Sequence, residues 1–236
     1  TVTDDKSELP TADIVLVRSK TKCTPEYIDS AGQLKMIIRG GVGLDNIDLD
    51  YAANHGVIVH NTAAASSIAV AELALALMLA MPNHTVRAHQ TMSEGIWAKK
   101  ELKRSELYRK TLGLLGIGRI GTEVARRAAA FGMKVIAYDA FVDSHEIAEL
   151  EGSLAELLAE SDYLSIHVPQ TPETLGLLNT ETIAGMKDGI RIVNTARGKV
   201  VVETDMVAAL ESGKVAGYAT DVWYSDPPQD SPLVGA

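Results

Sequence analysis

Gly116, Gly118 and Gly121 stand in a Gly-x-Gly-x-x-Gly spacing, and a carboxylate, Asp139, follows the last of them by 18 residues. At such a spacing the first glycine permits a tight turn, the second lets backbone approach a pyrophosphate, and the third lets a helix pack closely on a strand. The N–H groups at the start of that helix face the anion, and an acid ~20 residues on is placed to hydrogen-bond ribose hydroxyls. The chemistry indicated is the binding of a dinucleotide. Asp139 would repel a 2′-phosphate, and Ala140-Phe141-Val142-Asp143 brings no Lys or Arg to receive one, so NAD is expected rather than NADP. The alternative for the glycines is a turn that serves only packing. Against it stands the context, in which strand, helix, second strand and terminal acid follow in register.

Ligands of an open parallel sheet bind beyond the carboxyl ends of its strands. The residues that follow the expected strands are Gly116 to Gly121, Asp139, His167-Val168-Pro169, Thr195-Ala196-Arg197-Gly198 and Asp221. All would line one edge. A guanidinium at Arg197, beside a nicotinamide, can hold a substrate carboxylate bidentately and polarise the neighbouring carbonyl. Asp221 could accept the carboxamide N–H of the nicotinamide. Taken alone, Arg197 could instead pair with a nearby acid.

The elements that must position these groups are read from periodicity and punctuation. Thr111 to Leu115 and Lys134 to Tyr138 are expected as strands around a helix ending near Phe131 and Gly132. A helix over 154–159, a strand over 163–168, a helix over 180–186, a strand over 190–194, a helix over 203–212 and a strand over 215–220 follow. Earlier in the chain, 12–18, 35–39 and 57–60 read as strands, with helices starting at Thr24-Pro25-Glu26 and over 44–54, giving a small parallel α/β unit. Ser66 or Ser67 is expected to cap a helix from Ile68 to Met81, stopped by Pro82, apolar round most of its circumference and buried on several sides. Glu72 near its middle favours a buried or interface helix over a bilayer span. Asn83 to Arg109 reads as a polar, irregular excursion that reaches a second subunit, the alternative being a surface loop.

With 236 residues the chain can bury one large core or two small ones, and its net charge of −9 without a long basic run argues against nucleic acid. The single cysteine, Cys23, excludes an internal disulfide and is expected to be a packing residue. No cluster of metal-ligating residues is singled out. The acidic, polar first residues do not read as a signal peptide, so a cytoplasmic location is expected.

The ordered segments Gly-Ile-Gly-Arg-Ile-Gly, Tyr-Asp, His-Val-Pro, Asn-Thr-Ala-Arg-Gly-Lys and Ala-Thr-Asp-Val-Trp resemble those of the D-isomer-specific 2-hydroxyacid dehydrogenase family. The likeness extends from Val17-Arg18-Ser19 through Gly43-Leu44-Asp45-Asn46-Ile47-Asp48 to Asp226-Pro227-Pro228, and is greatest to the members that act on 3-phosphoglycerate. It implies a doubly wound parallel (Rossmann) cofactor domain over 63–236, with a dimer arm at 83–109, and a partial flavodoxin-like α/β substrate domain over 1–62. By the same resemblance the pyrophosphate contacts fall on Arg119 and Ile120, beside Gly116, Gly118 and Gly121, and the ribose acid on Asp139. Further NAD contacts fall on Val42, Val168, Thr195, Ala196, Arg197 and Asp221. Arg197 is the implied catalytic arginine. Arg18 and Arg39, with the Gly41-Val42-Gly43 loop, would bind a small anionic 2-hydroxy or 2-oxo acid. A homodimer or higher homo-oligomer, closing two domains over the reaction, is implied as well.

Two departures from the family pattern matter. Asp226 occupies a place where the family usually has a glutamate that orients the catalytic histidine, so the charge is kept on a shorter side chain. None of His55, His60, His84, His89, His145 or His167 occupies the place of that histidine, which lies well after the acid. His167 is expected to shape the cofactor pocket, the others to be surface or structural. The family's first strand and helix would also precede Thr1, so the chain is expected to be an internal piece of a longer polypeptide, or one given without disordered ends, with little catalysis of its own. Hydroxypyruvate or glyoxylate reduction and a non-catalytic NAD-binding regulator remain open. Formate dehydrogenases share two of the segments but expect a Gln near Asp226 and an Asn near Ser66, and neither is present.

Overall fold

A computed structural model describes residues 2–235; Thr1 and Ala236, the outer limits of the two expected domains, lie outside the described residues. The chain divides into two compact units, Thr1–Ser67 and Ile68–Ala236, each with its own parallel sheet.

In the first unit β1 (Ile14–Val17), β2 (Met36–Arg39) and β3 (Ile58–Asn61) lie in that order, joined through α1 (Pro25–Ser30) and α2 (Leu49–Asn54). Helix α1 starts where its signal stood: Pro25 fills the first position and the Thr24 hydroxyl accepts the Tyr27 N–H. Helix α2 begins later than Leu44. The buried Asn46 donates its amide to the carbonyls of Arg18 and Thr21 at 3.1 and 2.7 Å, and its own carbonyl accepts from Cys23. Those bonds keep residues 44–47 out of a helix, which forms only where Asp48 accepts the Tyr51 N–H at 2.9 Å. Val17, Cys23, Ile28, Ile37 and Ala52 pack beneath the sheet. On its opposite face Ile14, Leu16 and Ile58 are more than half exposed. Burial pushes the Cys23 thiol up, which suits a packing residue.

Helix α3 (Ala63–Asn83) leads from the first unit into the second. It starts before Ile68, with Ser66 and Ser67 inside it rather than capping it, and the Ser67 hydroxyl donates back to the Ala63 carbonyl. Pro82 lies in the last turn and does not stop the helix ahead of it; one residue beyond, the chain turns out at His84, whose φ is 50°. Nor is α3 buried on several sides. One stripe, containing Ser67, Ala71, Ala74, Leu75 and Met78, is buried, while Ile68 and Leu73 are exposed. Among the described residues this is the one helix long and apolar enough to cross a membrane, yet Glu72 lies 3.7 Å from Arg127. The 83–109 stretch is not wholly irregular, since α4 (Thr85–Ser93) forms within it and its polar composition hid the periodicity.

The second sheet holds β4 (Thr111–Leu115), β5 (Lys134–Tyr138), β6 (Glu149–Leu150), β7 (Tyr163–Ile166), β8 (Ile190–Asn194) and β9 (Val215–Thr220). All are parallel, in the order β6-β5-β4-β7-β8-β9, with the winding reversing between β4 and β7. Strand β6, two residues long, was not expected. Alternate side chains feed two cores. Leu112, Leu114, Val135 and Ala137 meet α3 and α5 (Arg119–Ala130), whereas Leu115, Ile136, Leu164 and Ile192 meet α6 (Leu154–Glu160), α7 (Thr180–Ala184) and α8 (Glu203–Glu211).

Candidate functional site

The glycine turn stands at the reversal point of the second sheet. Gly116 leaves β4 with φ 92°, and a Cβ there would lie 3.0 Å from the backbone of His167 and 3.1 Å from Val168, which follow β7. Two strand ends are thus in contact. Gly121 is required by packing alone, because its Cβ would fall 2.4 Å from the Gly116 carbonyl oxygen. Gly118 differs from both: it has an ordinary φ of −66°, and a Cβ on it would meet nothing within 4 Å. Space above it is open to a ligand. Gly118 also heads α5 without a side-chain cap, leaving first-turn N–H groups, including those of Arg119 and Ile120, to an anion.

Asp139, at the end of β5, is half-buried and already oriented. Its Oδ2 accepts the Ile117 N–H at 2.9 Å and its Oδ1 accepts the Phe141 N–H at 3.0 Å. Each oxygen keeps lone-pair capacity for a sugar hydroxyl.

On the other side of β4, His167 takes a bond between its Nε2 and the Ser165 hydroxyl at 2.9 Å, while its Nδ1 is buried without a partner. Burial lowers its pKa to about 4, so the ring is neutral at pH 7. Beyond β8 the Thr195 hydroxyl is likewise buried and unpartnered. Buried polar atoms are seldom left so. Two such atoms at neighbouring strand ends, the open space over Gly118 and the oriented carboxylate together fit a dinucleotide laid across the sheet edge.

The loop after β8 is clamped from below, a feature the sequence reading did not assign. Asn194 is fully buried; its amide accepts the Ala196 N–H at 3.0 Å and donates to the Arg197 carbonyl at 3.0 Å and to the Tyr218 hydroxyl at 3.2 Å. The Arg197 guanidinium donates to the Ala196 carbonyl at 2.7 Å. Gly198 lets the Asp221–Trp223 stretch come close, since a Cβ on it would be 2.5 Å from the Trp223 backbone. Thr220 closes the arrangement by donating to the Asn194 carbonyl at 2.9 Å. The signal for Asn194 lay inside the Asn-Thr-Ala-Arg-Gly segment, but its partner Tyr218 belongs to β9. Asp221 follows β9 at the surface, and Asp226 is exposed five residues later. The second unit therefore brings Gly116 to Gly121, Asp139, Val168, Thr195 to Arg197 and Asp221 to consecutive strand ends.

In the first unit Arg18 directly follows β1, and Arg39 is the last residue of the adjacent parallel strand β2, paired with Val17. The Arg39 guanidinium curls over Gly41 and donates to the Gly40 carbonyl at 3.1 Å; a Cβ on Gly41 would occupy its place. Thr62 accepts the Gly41 N–H at 2.9 Å and Asn61 donates to the Val42 carbonyl at 2.6 Å, which fixes the loop. Val42 is exposed at its tip.

Residues 75–236 match the family described as D-isomer specific 2-hydroxyacid dehydrogenase, NAD binding domain. The chain is 48% identical over 222 residues to a hydroxypyruvate reductase of Thermotoga maritima, covering 94% of this chain and 72% of that protein. It is 45% identical over 228 residues to a D-3-phosphoglycerate dehydrogenase of Methanocaldococcus jannaschii, covering 94% of this chain but only 43% of that one. Among solved structures, a D-lactate dehydrogenase from Aquifex aeolicus complexed with NAD and lactic acid superposes with a TM-score of 0.86 at 38% identity, covering 94% of this chain and 68% of the other. A glycine turn at the sheet's reversal point, an oriented acid and these likenesses agree: the chain belongs to the D-isomer specific 2-hydroxyacid dehydrogenase family, and its cofactor is NAD.

Proposed function

We propose that the complete protein is an NAD-dependent oxidoreductase acting on a D-2-hydroxy acid, with 3-phosphoglycerate as substrate. The observation that carries this reading is the clamped Arg197 loop, two strands from the glycine turn on the same edge of the sheet. NAD, when bound, supplies the hydride acceptor. Gly116, Gly118, Arg119, Ile120 and Gly121 would hold its pyrophosphate, Asp139 its ribose, and Val168, Thr195, Ala196, Arg197 and Asp221, with Val42, its remaining length. Arg197 would bind the substrate carboxylate and draw charge from the adjacent carbonyl oxygen.

Arg18 and Arg39 would take the far anionic end of the substrate. A substrate carboxylate at the 41–43 loop would meet the N–H groups of Val42 and Gly43, because that of Gly41 is committed to Thr62. Asp226 would orient a histidine of the complete protein and raise its basicity, so that it takes the hydroxyl proton as hydride leaves. In this scheme residues 1–62 belong to the substrate domain and 63–236 to the cofactor domain. The exposed apolar groups Val86, Met92, Ile96, Trp97 and Tyr108 support a homodimer through the 83–109 arm. A cytoplasmic site of action agrees with the reading.

Hydroxypyruvate or glyoxylate reduction is the second reading, favoured by the 48% identity to a hydroxypyruvate reductase. One experiment separates these from a non-catalytic NAD-binding regulator. NADH fluorescence titration establishes binding, and initial rates with 3-phosphoglycerate, hydroxypyruvate, glyoxylate and D-lactate rank the substrates. Binding with no turnover of any of them by the complete protein would leave only the regulator.

A further inference from the structure

The loop between β5 and β6 is tied to the glycine turn by a histidine that no part of the proposed reaction uses. His145 Nδ1 accepts two backbone N–H groups, from Ile147 at 3.2 Å and Ala148 at 3.1 Å. A nitrogen accepting two donors carries no proton, so the ring proton sits on Nε2. Nε2 lies 3.2 Å from the Thr122 hydroxyl and must donate to it. Thr122 in turn donates to the Ile117 carbonyl at 3.2 Å, and the Ile117 N–H donates to Asp139. The directions of the chain are thereby fixed from end to end. With the bond from Phe141 N–H to Asp139 it forms a closed loop of interactions, running from the carboxylate through residues 141–145 to α5 and back through the turn.

Nothing in this loop is spare packing. Val142, Ile147 and Ala148 seat residues 140–148 on the core beneath α3 and α5, whereas the His145 ring is only partly buried and spans the gap to α5. Without the His145 to Thr122 link, the Thr122 hydroxyl that holds the Ile117 carbonyl would lose the donor that fixes its own direction, and the residue whose N–H orients Asp139 would be held less firmly from the α5 side. A carboxylate meant to grip a sugar needs its angle set to within about 10–20°.

We infer that His145, acting through Thr122 and Ile117, is a positioning residue for the adenosine half of NAD, setting the angle of Asp139 to the ribose. This rests on the reading of Asp139 as the ribose acid. It places no demand on the nicotinamide part, which would lie toward the Arg197 end of the sheet edge.

The test uses the full chain and two overlapping fragments of the cofactor, ADP-ribose, which carries the adenosine, and reduced nicotinamide mononucleotide, which lacks it, with affinities measured by calorimetry and fluorescence. In His145→Asn the shorter side chain can still accept the Ile147 and Ala148 N–H groups but does not reach Thr122. It should melt like the native chain while binding ADP-ribose about three- to tenfold more weakly, the worth of one hydrogen bond, with the mononucleotide unchanged. Thr122→Val should do the same from the other side and carries the test if the Asn variant folds poorly. The double variant should lose no more than either single one. Native ADP-ribose affinity in both single variants, an equal loss for both fragments, or additive losses in the double variant would each overturn the inference. Asp139→Asn separates the two readings. Native ADP-ribose affinity there removes Asp139 as the ribose acid, whereas a loss there with native affinity in His145→Asn removes only the role of His145.

Discussion

The backbone N–H of Ile117 points at Oδ2 of Asp139 from 2.9 Å, joining the glycine turn to the end of the next strand. Because the other oxygen accepts from Phe141, the acid is aimed before any ligand arrives. Hydrogen bonds to a charged group are worth about 1.5–3 kcal/mol, so neutralising Asp139 weakens its bonds to the turn and, with Asp139 as the proposed ribose acid, its hold on the ligand. Asp139→Asn should raise the NADH dissociation constant about 10- to 100-fold, with a smaller fall in melting temperature, and should narrow the preference over NADPH. Calorimetry with both dinucleotides checks it; unchanged NADH affinity would remove the ribose role.

Gly118 and Gly121 are the same residue type three positions apart, with opposite expectations. A methyl on Gly121 meets the Gly116 carbonyl oxygen at 2.4 Å, whereas one on Gly118 meets no protein atom within 4 Å. Gly121→Ala should therefore destabilise the fold by about 1–3 kcal/mol through overpacking. Gly118→Ala should melt like the native chain and fail to bind NADH, since its methyl would occupy the ligand's space. Paired thermal melts and NADH titrations decide. A Gly118→Ala variant that binds normally would mean the pyrophosphate lies elsewhere.

Local grammar made the second unit legible. Short apolar strands, a glycine turn and a terminal acid sit within one stretch from Thr111 to Asp139, and β4, α5 and β5 begin and end within two residues of where that local pattern puts them. Where distant groups decide, the sequence is mute. Helix α2 starts late because Asn46 is claimed by carbonyls 25 and 28 residues earlier. The clamp by Asn194 needs Tyr218, 24 residues later. Strand β6 exists because its two residues pair with Ile136 and Ala137, not because they favour a strand. The first sheet also shows an apolar face that alternation could place on a strand but could not declare open to solvent.

His167 should make stability depend on acidity. Burial lowers its folded pKa to about 4, against about 6.5 for an unfolded chain. Between these values the unfolded chain binds the proton and the folded one does not. The contribution is thus fully present above pH ~6.5 and is lost as pH falls toward 4, amounting to on the order of 3 kcal/mol. Urea denaturation at several pH values should show stability falling across this window. In His167→Gln, which cannot titrate, that part of the slope should vanish. An identical slope in the variant would mean the imidazole is not held neutral by the fold.

Asn194 offers the sharpest separation of loop geometry from cofactor binding. Its amide meets the Ala196 N–H, the Arg197 carbonyl and the Tyr218 hydroxyl from a fully buried position. Asn194→Ala would leave those groups without it in the interior, at about 2–4 kcal/mol of stability, and would release the loop that carries Arg197. Tyr218→Phe removes one of the three bonds and should cost about 1 kcal/mol or less. If Arg197 binds the substrate carboxylate, the Ala variant of the complete protein should lose about 100-fold in kcat/KM for the hydroxy acid, the penalty of misplacing a positioned group by about 1 Å. NADH affinity should fall less, because only the Thr195 to Arg197 part of the proposed cofactor contacts is released while the glycine turn and Asp139 keep theirs. Steady-state kinetics beside NADH titration reads both quantities. Equal losses in the two would show that the loop acts through the cofactor alone and would remove the role of Arg197 toward the acid.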